Sequence, residues 1–323
     1  MELFSEELSV VHPLWGRIYV RNKRPAHILS FPSRRVVILQ HGATYGSAAF
    51  DLPFGGISWM DYIAAKGFDV YCFDLPGYGR SERPPQMTEP AGNNPPFMHT
   101  PEAADCLDHV VEFVCKRRDV DQLCLIGWSW GTAIAGYYTE RRGERVERLT
   151  LYAPVWDRRG STPSTLQMAG TLGAYRIVTK EATLNRRQNG LTEQQASTVM
   201  PREWFELWWE TTAAADPDAT PGTIRAPNGV IEDSRNYWST GRHLYDPSRI
   251  LCPVLVIVGE WDLDTKPELA LSLYPEMTNT SWKRLVVIGG GTHAMMMEAN
   301  RMLLFRSVQQ FLEESAPGVD AID

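Results

Sequence analysis

Apolar positions along this chain fall into two rhythms, separated by a stretch that has neither. Residues 35–40 (Arg-Val-Val-Ile-Leu-Gln), 70–73 (Val-Tyr-Cys-Phe), 123–126 (Leu-Cys-Leu-Ile), 146–153, 253–258 (Pro-Val-Leu-Val-Ile-Val) and 285–288 are short, continuous and largely apolar. Runs of this kind predict strands buried on both faces of a parallel sheet. Between them, helical spacing predicts helices over 55–66 (Ile57, Met60, Ile63, Ala64, stopped by Gly67), over 101–117, after residue 129, over 267–277 and over 298–314. The second of these has Thr100 as its expected N-cap and Pro101 at its first helical position. Pieces at 9–11, 17–20 and 27–31, broken by prolines and Gly16, predict an initial antiparallel pair. The strand–helix alternation lapses between 155 and 243, where the chain is polar, helix-prone and rich in aromatics. It resumes at 253. The simplest architecture is α/β: a mostly parallel sheet with helices on both faces, formed by residues 1–154 and 244–323, with a helical insertion at 155–243.

Composition narrows the function. A hydrophobic content of 43% with 22% charged residues describes a soluble globular chain, and 323 residues suffice for one large domain with an insertion. The net charge of −7 argues against a nucleic-acid partner, which would require a basic face. Five cysteines form no C-x-x-C pair, and Cys72 and Cys124 fall in strand-like runs as buried thiols, an arrangement suited to a reducing compartment. The acidic N-terminus lacks the apolar core of a signal peptide, and no run approaches the length of a membrane span. The expectation is a cytoplasmic protein without a membrane partner.

The chemistry centres on residues 127–131, Gly-Trp-Ser-Trp-Gly, which sit between a predicted strand and a predicted helix. A turn that tight forces the serine into a strained conformation and leaves room only for very small residues two before and two after it. The motif alone is weak evidence, and its flanks strengthen it. A serine hydroxyl needs a base, and the base needs a partner that fixes its tautomer. Of seven histidines only His293 follows a late apolar strand, in the Gly-rich loop 289–293. Asp262 follows the strand at 253–258, in Gly-Glu-Trp-Asp. Asp264, Glu260 and Asp157 are the competing acids. No His/Cys/Asp cluster has metal spacing and no Gly-rich turn is placed for a dinucleotide, so neither metal nor cofactor is expected, only a small-molecule substrate.

In the order Ser129, Asp262, His293, with His41-Gly42 after the first long strand and Asp-Leu-Pro-Gly-Tyr-Gly-Arg-Ser at 74–81, the chain resembles the α/β-hydrolases that carry an inserted cap. The resemblance implies an oxyanion hole from the backbone N–H groups of Trp130 and Ala43. It also places the Trp130 side chain near an acyl pocket, and gives His41 a supporting role rather than that of a base. Thr44 and the cap aromatics Trp156, Trp204, Trp208 and Trp238 are candidate pocket residues, which would suit an apolar or aromatic substrate. Met295, Met296 and Met297 could line a pocket or simply pack. The activity implied is hydrolysis of a carboxylic ester. An aminopeptidase or amidase is an alternative, because Ser-Trp-Gly-Thr is similar to proline iminopeptidases; Glu203, Glu206 and Glu210 could then hold a free amine. C–C bond hydrolysis by the same triad and a non-enzymatic ligand receptor on the same fold are the others. The oligomeric state is left open.

Overall fold

A computed structural model describes residues 2–159, 170–216 and 218–315. Parts of the expected insertion (160–169 and 217) and the end of the chain (316–323) lie outside the described residues.

Eight strands form one sheet in the order β1-β2-β4-β3-β5-β6-β9-β10. They are β1 (Leu3–His12), β2 (Gly16–Pro25), β3 (Val36–Gln40), β4 (Asp69–Phe73), β5 (Leu123–Trp128), β6 (Val146–Tyr152), β9 (Val254–Gly259) and β10 (Lys283–Ile288). β1 pairs antiparallel with β2 and β2 with β4; every later pairing is parallel. The initial antiparallel pair is therefore present, but β2 continues to Pro25 and residues 27–31 form no strand.

Alternation along the strands assigns the two faces. Val36 and Ile38 of β3 share a core with helices α3 (Thr100–Arg118), α4 (Trp130–Arg141) and α9 (Pro267–Glu276). Val37 and Leu39 face the opposite way, into a core with α2 (Trp59–Ala64) and α10 (Arg301–Glu313). A short helix, α1 (Ala48–Asp51), adds Ala49 and Phe50 to that second core. All five residues of β3 and of β4 and all six of β5 and of β9 are buried, which explains their unbroken apolar sequences. Met295, Met296 and Met297 form a 3-10 turn packed in the second core. The N-cap of α3 is His99 rather than Thr100. Its backbone N–H donates to Glu102 across the first turn at 2.7 Å.

Between β6 and β9 the chain departs from an all-helical insertion. It contains helices α5 (Lys180–Gln188), α6 (Glu193–Val199), α7 (Arg202–Ala214) and α8 (Gly229–Asn236), but also a two-stranded antiparallel sheet of β7 (Tyr175–Thr179) and β8 (Thr223–Pro227). The β7 pattern is inverted: Arg176 is buried while Ile177 is 62% exposed.

The parallel strands β3, β5, β9 and β10 end at one edge of the sheet. Gln40 is level with Gly127, and Ile288 with Gly259. The loops that follow carry residues 41–47, Ser129, Asp262 and His293. Carboxyl-edge loops are where an α/β sheet presents its site.

Candidate active site

Ser129 links β5 to α4 with φ +57° and ψ −123°, a conformation that costs a non-glycine residue on the order of 1–3 kcal/mol. Its N–H donates to the Tyr152 carbonyl at 2.9 Å, which holds the turn against β6. The flanking glycines are steric necessities. A Cβ on Gly127 would lie 2.4 Å from the Gly131 carbonyl oxygen, and one on Gly131 would lie 2.5 Å from that of Gln40. Trp130 is the first residue of α4, so its N–H belongs to the unpaired set at a helix N-terminus and points where negative charge is favoured.

The turn brings Ser129 Oγ to 2.8 Å from His293 Nε2, and His293 Nδ1 lies 2.8 Å from Asp262 Oδ2. All three side chains are buried. Asp262 Oδ1 accepts from the backbone N–H groups of Asp264 and Thr265 at 2.9 and 2.7 Å, and Oδ2 also accepts from the Thr265 hydroxyl at 2.9 Å. A carboxylate held in this way remains an acceptor, so His293 keeps its proton on Nδ1 and turns the Nε2 lone pair to the serine. The acid and histidine loops are tied by the Trp261 N–H, which donates to the Gly291 carbonyl at 2.9 Å. They approach so closely that a Cβ on Gly259 would sit 2.2 Å from that same oxygen.

The competing acids are engaged elsewhere. Glu260 accepts from the Gly290 N–H, Asp157 pairs with Arg159, and Asp264 pairs with Arg186 at 2.9 Å. Burial pushes the Asp264 carboxyl up, but the adjacent Arg186 charge outweighs it and holds the group below the ordinary carboxylate range.

The loop bearing Ala43 is fixed from two sides. The Leu75 N–H donates to His41 Nε2 at 3.0 Å, so the proton is on Nδ1, which donates to the Gly42 carbonyl at 2.7 Å. Burial lowers the pKa of His41 and keeps it neutral, as a brace between the loops after β3 and β4. Asp74 accepts from the N–H groups of Ser47 and Arg80 at 2.6 and 2.8 Å. Thr44 takes φ +77°, and its hydroxyl accepts from Arg176 at 2.6 Å.

The remaining candidates divide. Trp208 packs edge-on against Tyr45, two residues beyond Ala43, with ring centroids 4.6 Å apart. Trp204 lies against Phe54 and beneath the Arg301 guanidinium. Trp156 and Trp238 are not brought to the triad: Trp156 stacks on His243 at 3.9 Å, and both are buried in the core on the α3–α4 side. The Trp130 indole, expected beside an acyl pocket, instead donates to the Thr100 hydroxyl at 2.9 Å.

Two supporting residues had no sequence signal as such. The His293 carbonyl accepts from the Trp128 indole N–H at 2.9 Å and from the Tyr152 hydroxyl at 3.0 Å, which fixes the loop that carries the imidazole. Four arginines lie near these loops: Arg186 and Arg187 share a cavity wall with His293, Arg176 donates to Thr44, and Arg158 is buried within reach of the Asp264 and Asp262 charges.

One group of metal-ligand type occurs among the described residues, His12, Asp105 and His109, whose ligand atoms lie within 4.8 Å of one another. Sequence spacing hid it, because His12 and Asp105 are 93 residues apart. His12 Nδ1 accepts from the Leu14 and Trp15 N–H groups, so its protonated Nε2 donates to Asp105, and the contact ties β1 to α3. No described helix is long and apolar enough to cross a membrane.

A family model described as alpha/beta hydrolase fold matches residues 35–300. No curated protein matches the chain. Among solved structures, the chain is similar to a serine hydrolase from Cycloclasticus zankles at 13% identity (TM-score 0.64, covering 95% of this chain and 98% of that one). An esterase from Exiguobacterium antarcticum is 18% identical (TM-score 0.60, 96% and 100%). A monoacylglycerol lipase from Paleococcus ferrophilus is 19% identical (TM-score 0.59, 97% and 98%). At these identities the likeness is one of fold.

Proposed function

The chain belongs to the alpha/beta hydrolase fold family, and within it we propose a serine hydrolase that cleaves a carboxylic ester through an acyl-enzyme. The observation that carries this reading is the continuous chain of hydrogen bonds from Ser129 Oγ through His293 to Asp262, each link 2.8 Å. As Oγ bonds to the ester carbonyl carbon, its proton passes to His293 Nε2, and Asp262 stabilises the resulting imidazolium. The backbone N–H groups of Trp130 and Ala43 are the donors for the carbonyl oxygen as it becomes negative, each worth on the order of 3 kcal/mol. Collapse breaks the bond to the alkoxy oxygen, which takes the proton from His293. A water deprotonated by His293 then releases the acid and restores the serine. Residues 155–243 act as the cap over this edge.

The peptidase alternative lacks support. Glu206 is held by Lys180 and Arg202, while Glu203 and Glu210 are exposed. Among the described residues, Arg186 and Arg187 are the charged side chains of the insertion that share a cavity wall with His293, and cations repel an amine. No particular contact favours C–C bond hydrolysis or a receptor role.

The test is a panel of 4-nitrophenyl esters beside aminoacyl 4-nitroanilides, with fluorophosphonate labelling and Ser129→Ala as control. Ester turnover and labelling that both vanish in Ser129→Ala are expected. Turnover of the anilides alone, or no labelling of Ser129, would overturn the reading.

A further inference from the structure

Arg187 lies on α5, 8% exposed, and its Nε and Nη1 have no hydrogen-bond partner among the described residues. Its Cζ stands over three rings, those of Trp208, Tyr45 and Trp128, at 5.2, 5.5 and 5.9 Å. The Trp128 ring is in turn 5.6 Å from the ring of His293. Arg187 and His293 share the wall of a small cavity with Thr292 and Asp264. On its other side Arg187 borders a cavity of about 380 Å³, where Leu184, Leu191, Met200 and Phe205 form apolar wall and Glu298, Glu193 and Arg202 also line it.

It is not alone. Arg158 is 3% exposed, with Nε and Nη1 likewise unpartnered, and feels the charges of Asp264, Arg186 and Asp262. Arg176 is buried with only neutral acceptors: the Ala226 and Pro227 carbonyls, Asn228 and Thr44. Among the described residues none of these three guanidiniums lies within ion-pair distance of a carboxylate, and residues 160–169 contain no acid. Of the nearby carboxylates, Asp264 is taken by Arg186 and Asp262 by His293, while Glu298 accepts from Thr292 and feels the Arg187 charge across the wall of the larger cavity without an ion pair. Burying an unpaired guanidinium is costly, so nothing in folding accounts for Arg187 on a cavity wall shared with His293, or for Arg158 near Asp264 and Asp262. A planar cation with free N–H donors, clamped by aromatic rings, is the recognition element for a carboxylate.

We infer that the ester hydrolysed here carries a free carboxylate on its acyl part, bound by Arg187, while the apolar wall of Leu184, Leu191, Met200 and Phe205 takes the hydrocarbon portion. This rests on the serine-hydrolase reading and replaces a purely apolar or aromatic substrate with an amphipathic acid.

The test compares 4-nitrophenyl hydrogen glutarate with 4-nitrophenyl 5-methylhexanoate, in which an isopropyl group stands where the carboxylate was. The intact chain should favour the glutarate in kcat/KM by about 30-fold or more, the lower range for a buried charge pair. Arg187→Gln should abolish the preference and Arg187→Lys should retain part of it. In a separate arm, glutarate and glutaramide are titrated calorimetrically into Ser129→Ala, where only glutarate should bind. Equal turnover of the two esters, a preference that survives in Arg187→Gln, or no distinction between glutarate and glutaramide would overturn the inference. Labelling of Ser129 without a preference sinks the inference alone, whereas glutarate binding without labelling sinks the serine-hydrolase reading, and the ester with it, and leaves only a carboxylate site at Arg187.

Discussion

Glu298 offers a quantitative test of the loop that carries the histidine. Its carboxyl is fully buried, with Thr292 as donor through both N–H (3.1 Å) and hydroxyl. Burial raises its pKa from 4.5 to about 7, because the two Thr292 donors and the more distant Arg187 charge do not replace the lost hydration of an anion. Below 4.5 the group is protonated whether the chain is folded or not, and the native state bears no penalty. Between 4.5 and 7 only the unfolded carboxyl ionises, which favours unfolding. Above 7 the loss is complete. At 1.36 kcal/mol per pH unit the difference amounts to about 3 kcal/mol. Glu298→Gln keeps the shape: its amide oxygen can accept from the Thr292 N–H, and its NH₂ can donate to a reoriented Thr292 hydroxyl. Urea midpoints of the two proteins, measured from pH 4.5 to 8, should diverge in favour of the glutamine form as pH rises, by up to about 3 kcal/mol. A difference that stays flat across that range would refute the assignment of a neutral carboxyl behind His293.

Two further substitutions probe the triad and its support. In Asp262→Asn the oxygen is retained at Oδ1, where two backbone N–H groups point, so the NH₂ faces His293 and forces the wrong tautomer; kcat should fall on the order of 10⁴-fold at neutral pH, measured by ester hydrolysis, with the urea midpoint little changed. Tyr152→Phe and Trp128→Phe each leave the His293 carbonyl one donor, but the double variant leaves it none. The double should therefore lose about 1–3 kcal/mol beyond the sum of the singles in urea unfolding, and additivity would show that the two donors do not share that acceptor.

The sheet was legible because its strands are buried on both faces and so are written as uninterrupted apolar runs. Ser129, Asp262 and His293, which the structure brings together, could be singled out because each lies in the loop that follows such a run. The insertion was less legible for a physical reason: it mixes short helices with a strand pair whose buried positions include a charged side chain. In β7 the buried position is Arg176 and the exposed one Ile177, the inverse of the pattern that marks a strand, and the pair was read as helical. Arg158 and Arg187 gave no sign either, since a buried unpaired cation looks like a solvated one until its surroundings are known. Trp156 and Trp238 were drawn into the site by residue type alone, and the fold spends them on packing. Trp128 was passed over as a filler position of the serine turn, although its indole N–H holds the histidine loop.

The pair between Arg186 and Asp264 has a mechanical meaning. Arg186 belongs to α5, while Asp264 lies two residues after Asp262 and donates its N–H to that carboxylate. A swing of α5 away from the sheet edge must break this pair or drag the acid loop along with it. The position of α5 is therefore geared to that of the loop that orients Asp262, and through it to the imidazole of His293.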